Sequence, residues 1–165
     1  MAIPEYVTRL RSFVGREHLL WLPGVNAVVV DEHRRILLHR RAEDGCWSLI
    51  SGILDPGEEP ADGIAREVWE ETGLIVNVDY LSSVTVSPLR VHFNGDHAQY
   101  LELTFRCSVS SGHAHVHDSE SLEVGWFSLA DMPKVEEILL PRISHALTGV
   151  RDCLFQRPDF CPETV

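Results

Sequence analysis

Three carboxylates, Glu67, Glu70 and Glu71, stand at positions i, i+3 and i+4. On a helix that spacing puts all three on one stripe. Like charges so placed repel by roughly 0.2–0.5 kcal/mol per pair. A hard divalent cation removes that penalty, and oxygen donors suit Mg²⁺ or Mn²⁺. An isolated charge run is more often a solvated helix face, but the flanking residues weigh against that here. Gly52 and Gly57 permit tight backbone geometry ahead of the helix, which can bring a main-chain carbonyl to a metal. Arg66 adjoins Glu67 and can order a neighbouring carboxylate, with Glu58 the favoured partner, through a bidentate pair.

The element that must carry these acids has a start and a stop. Pro60 suits a first helical position and Gly73 a left-handed end. Between them Ala61, Ile64, Ala65 and Val68 follow the period of a core-facing helix stripe. Gly63, inside the helix, costs ~1 kcal/mol relative to alanine.

The full run from Gly52 to Leu74 places Gly52, Glu58, Arg66, Glu67, Val68, Glu70, Glu71, Gly73 and Leu74 at fixed intervals. This pattern resembles the Nudix box. Its seven identity-specified residues would meet by chance about once in 10^8 placements. The resemblance implies an α/β (α+β) fold, an α/β/α sandwich around a mixed central sheet. It implies hydrolysis of a diphosphate linkage in a small nucleoside-diphosphate-type substrate, with ADP-ribose or a related nucleotide as the best guess. It gives Glu67 and Glu71 as metal ligands and Glu70 as a third ligand or the base that activates water. Arg66 and Glu58 support them, and the Ser51 backbone carbonyl often completes the shell. The expected cofactor is Mg²⁺, with Mn²⁺ as a substitute, in one to three ions. Three features depart from the family pattern: Ser51 where a glycine is common, Asp55 where a glutamate is frequent, and Gly63 within the helix.

Outside the box the signals are weaker. Glu120, and after it Glu123, resembles the late additional acid of the family. Arg41 and Trp47 are candidates for meeting substrate phosphate and stacking on a base; the plainer reading is surface charge and a core tryptophan. Pro88 lies where ADP-ribose pyrophosphatases carry a downstream proline, but a turn-starting proline explains it more simply. His113, His115 and His117 alternate and would share one strand face; their Gly- and Ser-flanked setting predicts an exposed hairpin edge.

The chain has 165 residues, enough for one domain with one sizeable core. The expected division is an N-terminal helical extension over 1–17, a catalytic domain over 18–155 and a loose tail over 156–165. A short helix is predicted over 4–15, with Tyr6, Leu10, Phe13 and Val14 on its apolar face. Strands are predicted over 24–30, 36–39, 47–50, 74–86, 100–109 and 123–127, with a turn at Asn94-Gly95. A closing helix carries Ile143, Leu147, Val150 and Leu154, with Pro141 in its first turn. The net charge of −11 disfavours a nucleic-acid polymer or an anionic membrane as partner. A phosphorylated small molecule is the expected partner, and homodimerisation comes with the resemblance. With no leader-like start and four cysteines lacking Cys-x-x-Cys spacing, the expected location is cytoplasmic, with free thiols. A Cys153–Cys161 disulfide is the less favoured option. The rival reading is a catalytically silent member that binds nucleotides or regulates; the intact acids argue against it. A third, a Nudix-type isomerase, needs a catalytic cysteine motif that Cys46 and Cys107 lack.

Overall fold

The structure, a computed structural model, describes residues 3–157. Its elements in chain order are α1 (Glu5–Val14), β1 (Leu20–Val30), β2 (Ile36–Arg41), β3 (Trp47–Ser48), β4 (Ile50–Ile53), α2 (Pro60–Thr72), β5 (Ile75–Val86), β6 (Arg90–Val91), β7 (His97–Ser111), β8 (Ser121–Phe127) and α3 (Leu139–Thr148). One mixed sheet runs β3-β2-β1-β7-β5, with β4 on β1, β6 on β7 and β8 on β2. The β1–β7 pair is parallel, and the other pairs are antiparallel.

Strand alternation decides which side chains meet which helix, because successive side chains point to opposite faces. Val25, Ala27 and Val29 of β1 pack on the face with Ile64 and Val68 of α2. Val28 and Val30 pack on the other face with Leu139, Ile143 and Ala146 of α3. Both faces are covered, so β1 reads as a nearly continuous apolar run. The result is an α/β/α sandwich. A third, small cluster joins Val7 of α1 to Leu22, Ile53 and Ala98 at one end of the sheet.

Three expectations need correction. The helix over 4–15 forms, but Val7 is its buried residue, while Phe13 is 76% exposed. The helix lies over the sheet end rather than along a core, so most of its apolar stripe has nothing to cover. The closing helix stops at Thr148 because Gly149 turns left-handed at φ 76°. Leu154 instead bridges β5, its N–H donating to the Ser82 carbonyl and its own carbonyl accepting from Val84 N–H. The three histidines do not form a strand edge. Backbone N–H groups of His115 and His117 donate to the Thr72 and Glu71 carbonyls at 3.1 and 3.2 Å, satisfying open carbonyls at the end of α2. Cys107 is buried, with its thiol pushed up to about 12 by burial and then by Asp79. Cys161 lies outside the described residues.

Gly63 also changes meaning. A Cβ there would overlap the Leu54 side chain and crowd the Glu58 carboxylate, so the helix accepts a glycine to let the preceding loop close on it. Gly63→Ala is therefore expected to destabilise, although propensity alone favours alanine by ~1 kcal/mol. A thermal melt reads the sign; an increase in Tm would contradict it.

Candidate active site

Residues 55–58 build the approach to α2. The Glu58 N–H donates to the Asp55 carbonyl at 3.0 Å, and Gly57 has φ 87°. This is the Pro-Gly geometry of a type II turn. It returns Glu58 onto the helix, where Arg66 grips it in a fork. Nε donates to Glu58 Oε1 at 2.8 Å and Nη2 to Oε2 at 3.0 Å. Nη1 donates to Glu67 Oε1 at 2.9 Å and to Glu70 Oε2 at 3.0 Å. The Arg66 hydrogen bonds hold the Glu58 carboxyl below its usual range, against some burial. The same contacts raise the Arg66 pKa, Glu58 first.

Glu67 and Glu71 face inward, whereas the Glu70 side chain is 42% exposed. Burial pushes Glu67 up to about 7; Arg66 opposes this, and Glu71 and Glu70 add to it. Gly52 of β4 lies directly against Glu67, since a Cβ at Gly52 would overlap its carboxylate. Any side chain there would displace the acid.

Glu67 yields a pH prediction. Its pKa is raised on folding, so its contribution to stability is fully present below about 4.5. It is lost as pH rises through about 7. Without metal, Glu67→Gln is expected to be more stable than the wild type at pH 8, by on the order of 2 kcal/mol. The two should converge near pH 4. Melts in chelator across pH test this; parallel curves would refute it.

The structure brings one further residue to the acids. His39, on β2, is 3% exposed. Its Nδ1 lies 2.9 Å from Glu71 Oε2 and 2.8 Å from Ser121 Oγ. The sequence signal was slight: a polar residue closing the apolar run Ile36-Leu37-Leu38.

Ser51, Glu71, Glu120, His39 and Arg41 line one cavity of about 420 Å³. A second cavity of about 330 Å³ shares Ser51 and Arg41 and adds Gly52, Asn26, Arg90, Glu102 and Glu136. The two form lobes of one cleft, with Tyr100, His92 and Phe93 common to both. Arg41 reaches the cleft, but its guanidinium pairs with Asp44 and lies 3.6 Å from Glu136. Arg90 is held by Glu136 through two bonds of 2.8 and 2.5 Å. Trp47 is not brought to the cleft. Its ring meets Phe127 edge-on at 5.0 Å in the α3-side core, the fate of an apolar ring on a strand whose face is covered. Glu123 faces outward beside Arg40 at 3.5 Å. Pro88 sits in the link between β5 and β6.

The NUDIX domain family model matches residues 20–146. The chain belongs to the NUDIX family. It is 39% identical over 127 residues to a MutT-like protein of Streptomyces ambofaciens, covering 76% of this chain and 77% of the relative. It is 30% identical over 125 residues to an ADP-ribose pyrophosphatase of Methanocaldococcus jannaschii, covering 73% and 71%. Among solved structures, a MutT NUDIX hydrolase of Burkholderia pseudomallei aligns with TM-score 0.64 and 27% identity, covering 76% of this chain and 98% of that one. In this NUDIX chain α1 lies outside the matched span.

NUDIX proteins typically use divalent cations. The donor chemistry here fits one: the acids offer hard oxygens, and the buried Oε2 of Glu71 is met by His39 Nδ1 and by no Arg66 nitrogen. Among the described residues, however, no three acidic, His or Cys side chains converge as a ready-made metal cage. Arg66 stands between two of the acids, one of its nitrogens bridging Glu67 and Glu70. Among the described residues, no helix is long and apolar enough to cross a membrane.

Proposed function

We propose that this NUDIX chain is a metal-dependent hydrolase that cleaves the diphosphate linkage of a small nucleoside-diphosphate-type compound, with ADP-ribose the first to test. The observation that carries this reading is the meeting of Glu71, Ser51 and Glu120 in one cleft beside the Arg66-clamped acids. The relative named as an ADP-ribose pyrophosphatase supports the choice of first substrate.

Glu67, Glu70 and Glu71, with the Ser51 carbonyl and Glu120, are the residues that would hold Mg²⁺ or Mn²⁺, in one to three ions. When bound, the cations neutralise charge on the departing phosphate and favour ionisation of water. Glu70, half-exposed and paired with Arg66, accepts the proton of the attacking water. The water oxygen bonds to one phosphorus, and the bridging P–O bond breaks. The leaving phosphate departs with that electron pair. Glu58 anchors Arg66, so the guanidinium would keep its place on the helix if Glu67 and Glu70 were engaged by a cation. Gly52 holds the strand backbone close to Glu67. Arg41 is the residue placed to meet the phosphates, and it must exchange Asp44 for substrate. A cytoplasmic setting and a homodimer accompany this reading.

Arg66 bridging Glu67 and Glu70 is the one observation that favours a second reading, a nucleotide-binding module without turnover. A substrate panel separates the two. Calorimetry showing ADP-ribose binding, with no product in Mg²⁺ or Mn²⁺, favours the module.

A further inference from the structure

The cleft lobe of about 420 Å³ has two unlike ends. Its inner end is the acid cluster, with Ser51, Glu71 and Glu120. Its outer end is largely apolar, formed by Ile3 and Val7 on the α1 side, Leu22, Ile53 and Ala98 on the sheet, and Phe93 at the β6–β7 turn, with Asn94 and the Arg11-paired Asp96 as its polar members. Among the described residues its two arginines, Arg11 and Arg41, are both engaged. Arg11 donates to the carbonyls of Gly15, Arg16, His18 and His97 at 2.5–3.2 Å and lies 3.6 Å from Asp96. Arg41, paired with Asp44, is the residue given to the diphosphate itself. The outer end therefore offers no available guanidinium to a second anionic group, and burial of an apolar group is what it rewards. The Arg11 bonds also pin α1 to β7, so this wall is fixed.

We infer that this outer end is a binding subsite for an apolar moiety esterified to the far phosphate of the diphosphate, with α1 and Phe93 as its selecting walls. The inference rests on the hydrolase reading for the placement of the diphosphate at the acids. The helix that walls the subsite lies outside the matched NUDIX span of residues 20–146.

The test compares ADP-ribose with ADP carrying an n-hexyl ester on its terminal phosphate, in Mg²⁺. The hexyl ester is expected to be cleaved with kcat/KM at least about tenfold higher. The double variant Ile3→Ser, Phe93→Ser is expected to bring that ratio close to one. Both side chains are exposed, at 49% and 80%, so its melting curve should match the wild type. A wild-type ratio near one, or an unchanged ratio in the folded double variant, overturns the subsite. If neither compound is cleaved, the hydrolase reading fails, and calorimetry with the same two compounds decides the subsite alone. Tighter binding of the hexyl ester, lost in the double variant, supports it; equal binding overturns it.

Discussion

Glu70→Gln is expected to lower kcat on a cleaved substrate by roughly 10^2–10^4-fold, the usual contribution of a positioned general base. The amide keeps the size of the side chain and can still accept from Arg66, but it cannot take a proton. Because Glu70 is 42% exposed, the substitution leaves the core untouched, and far-UV dichroism and Tm should match the wild type. Glu71→Gln should also abolish turnover, by a different route. Glu71 is 2% exposed, so its loss is expected to appear as weakened Mn²⁺ binding, measurable by electron paramagnetic resonance. Unchanged turnover in Glu70→Gln would remove that residue from the chemistry.

The second large effect concerns stability. Arg142 of α3 has a side chain only 2% exposed, and its Nη2 lies 2.5 Å from Oε2 of Glu102 on β7. A buried guanidinium with its counter-ion removed is an uncompensated charge, which costs about 3–5 kcal/mol. Glu102→Leu is therefore expected to lower Tm by roughly 10 °C, given the few degrees per kcal/mol of a domain this size. Adding Arg142→Met to it should recover most of the loss, since the stranded charge leaves with the arginine. A double variant as unstable as Glu102→Leu would show that packing, not charge, sets the cost. Glu102 also lines the cleft lobe of about 330 Å³, so one member of this pair stands where a substrate group can meet it.

The acid-bearing helix was legible in the sequence because its information is local. Pro60 and Gly73 fix its ends, Ile64 and Val68 its buried face, and the Arg66–Glu58 fork follows from the reach of an arginine over one turn and a loop. The sheet was legible as strands but less so in extent. The expected strand starts at Gly24, yet β1 runs from Leu20 through Pro23, because the parallel register with Ala98–Ser108 of β7 continues past the proline. No local pattern encodes that pairing. For the same reason His39 was missed. Its contact with Glu71 joins a strand to a helix far along the chain, and a lone histidine carries no spacing to read. Trp47 was ambiguous because an aromatic near a cleft and one in a core have the same local sequence; the Phe127 contact decides it. The histidine run misled for a related reason. Alternation indicates a strand only when a partner strand exists, and here the backbone spends its N–H groups on the open end of α2.

The central claim is that the clamped acids turn over a diphosphate when a divalent cation is present. The most direct measurement incubates the unmodified protein with ADP-ribose and a panel of nucleoside diphosphate derivatives. Phosphate release is read after phosphatase coupling, with Mg²⁺, with Mn²⁺ and with chelator. The account predicts cleavage of at least one compound that requires the cation and stops in chelator. Calorimetric binding of a panel member without product in either metal would contradict it.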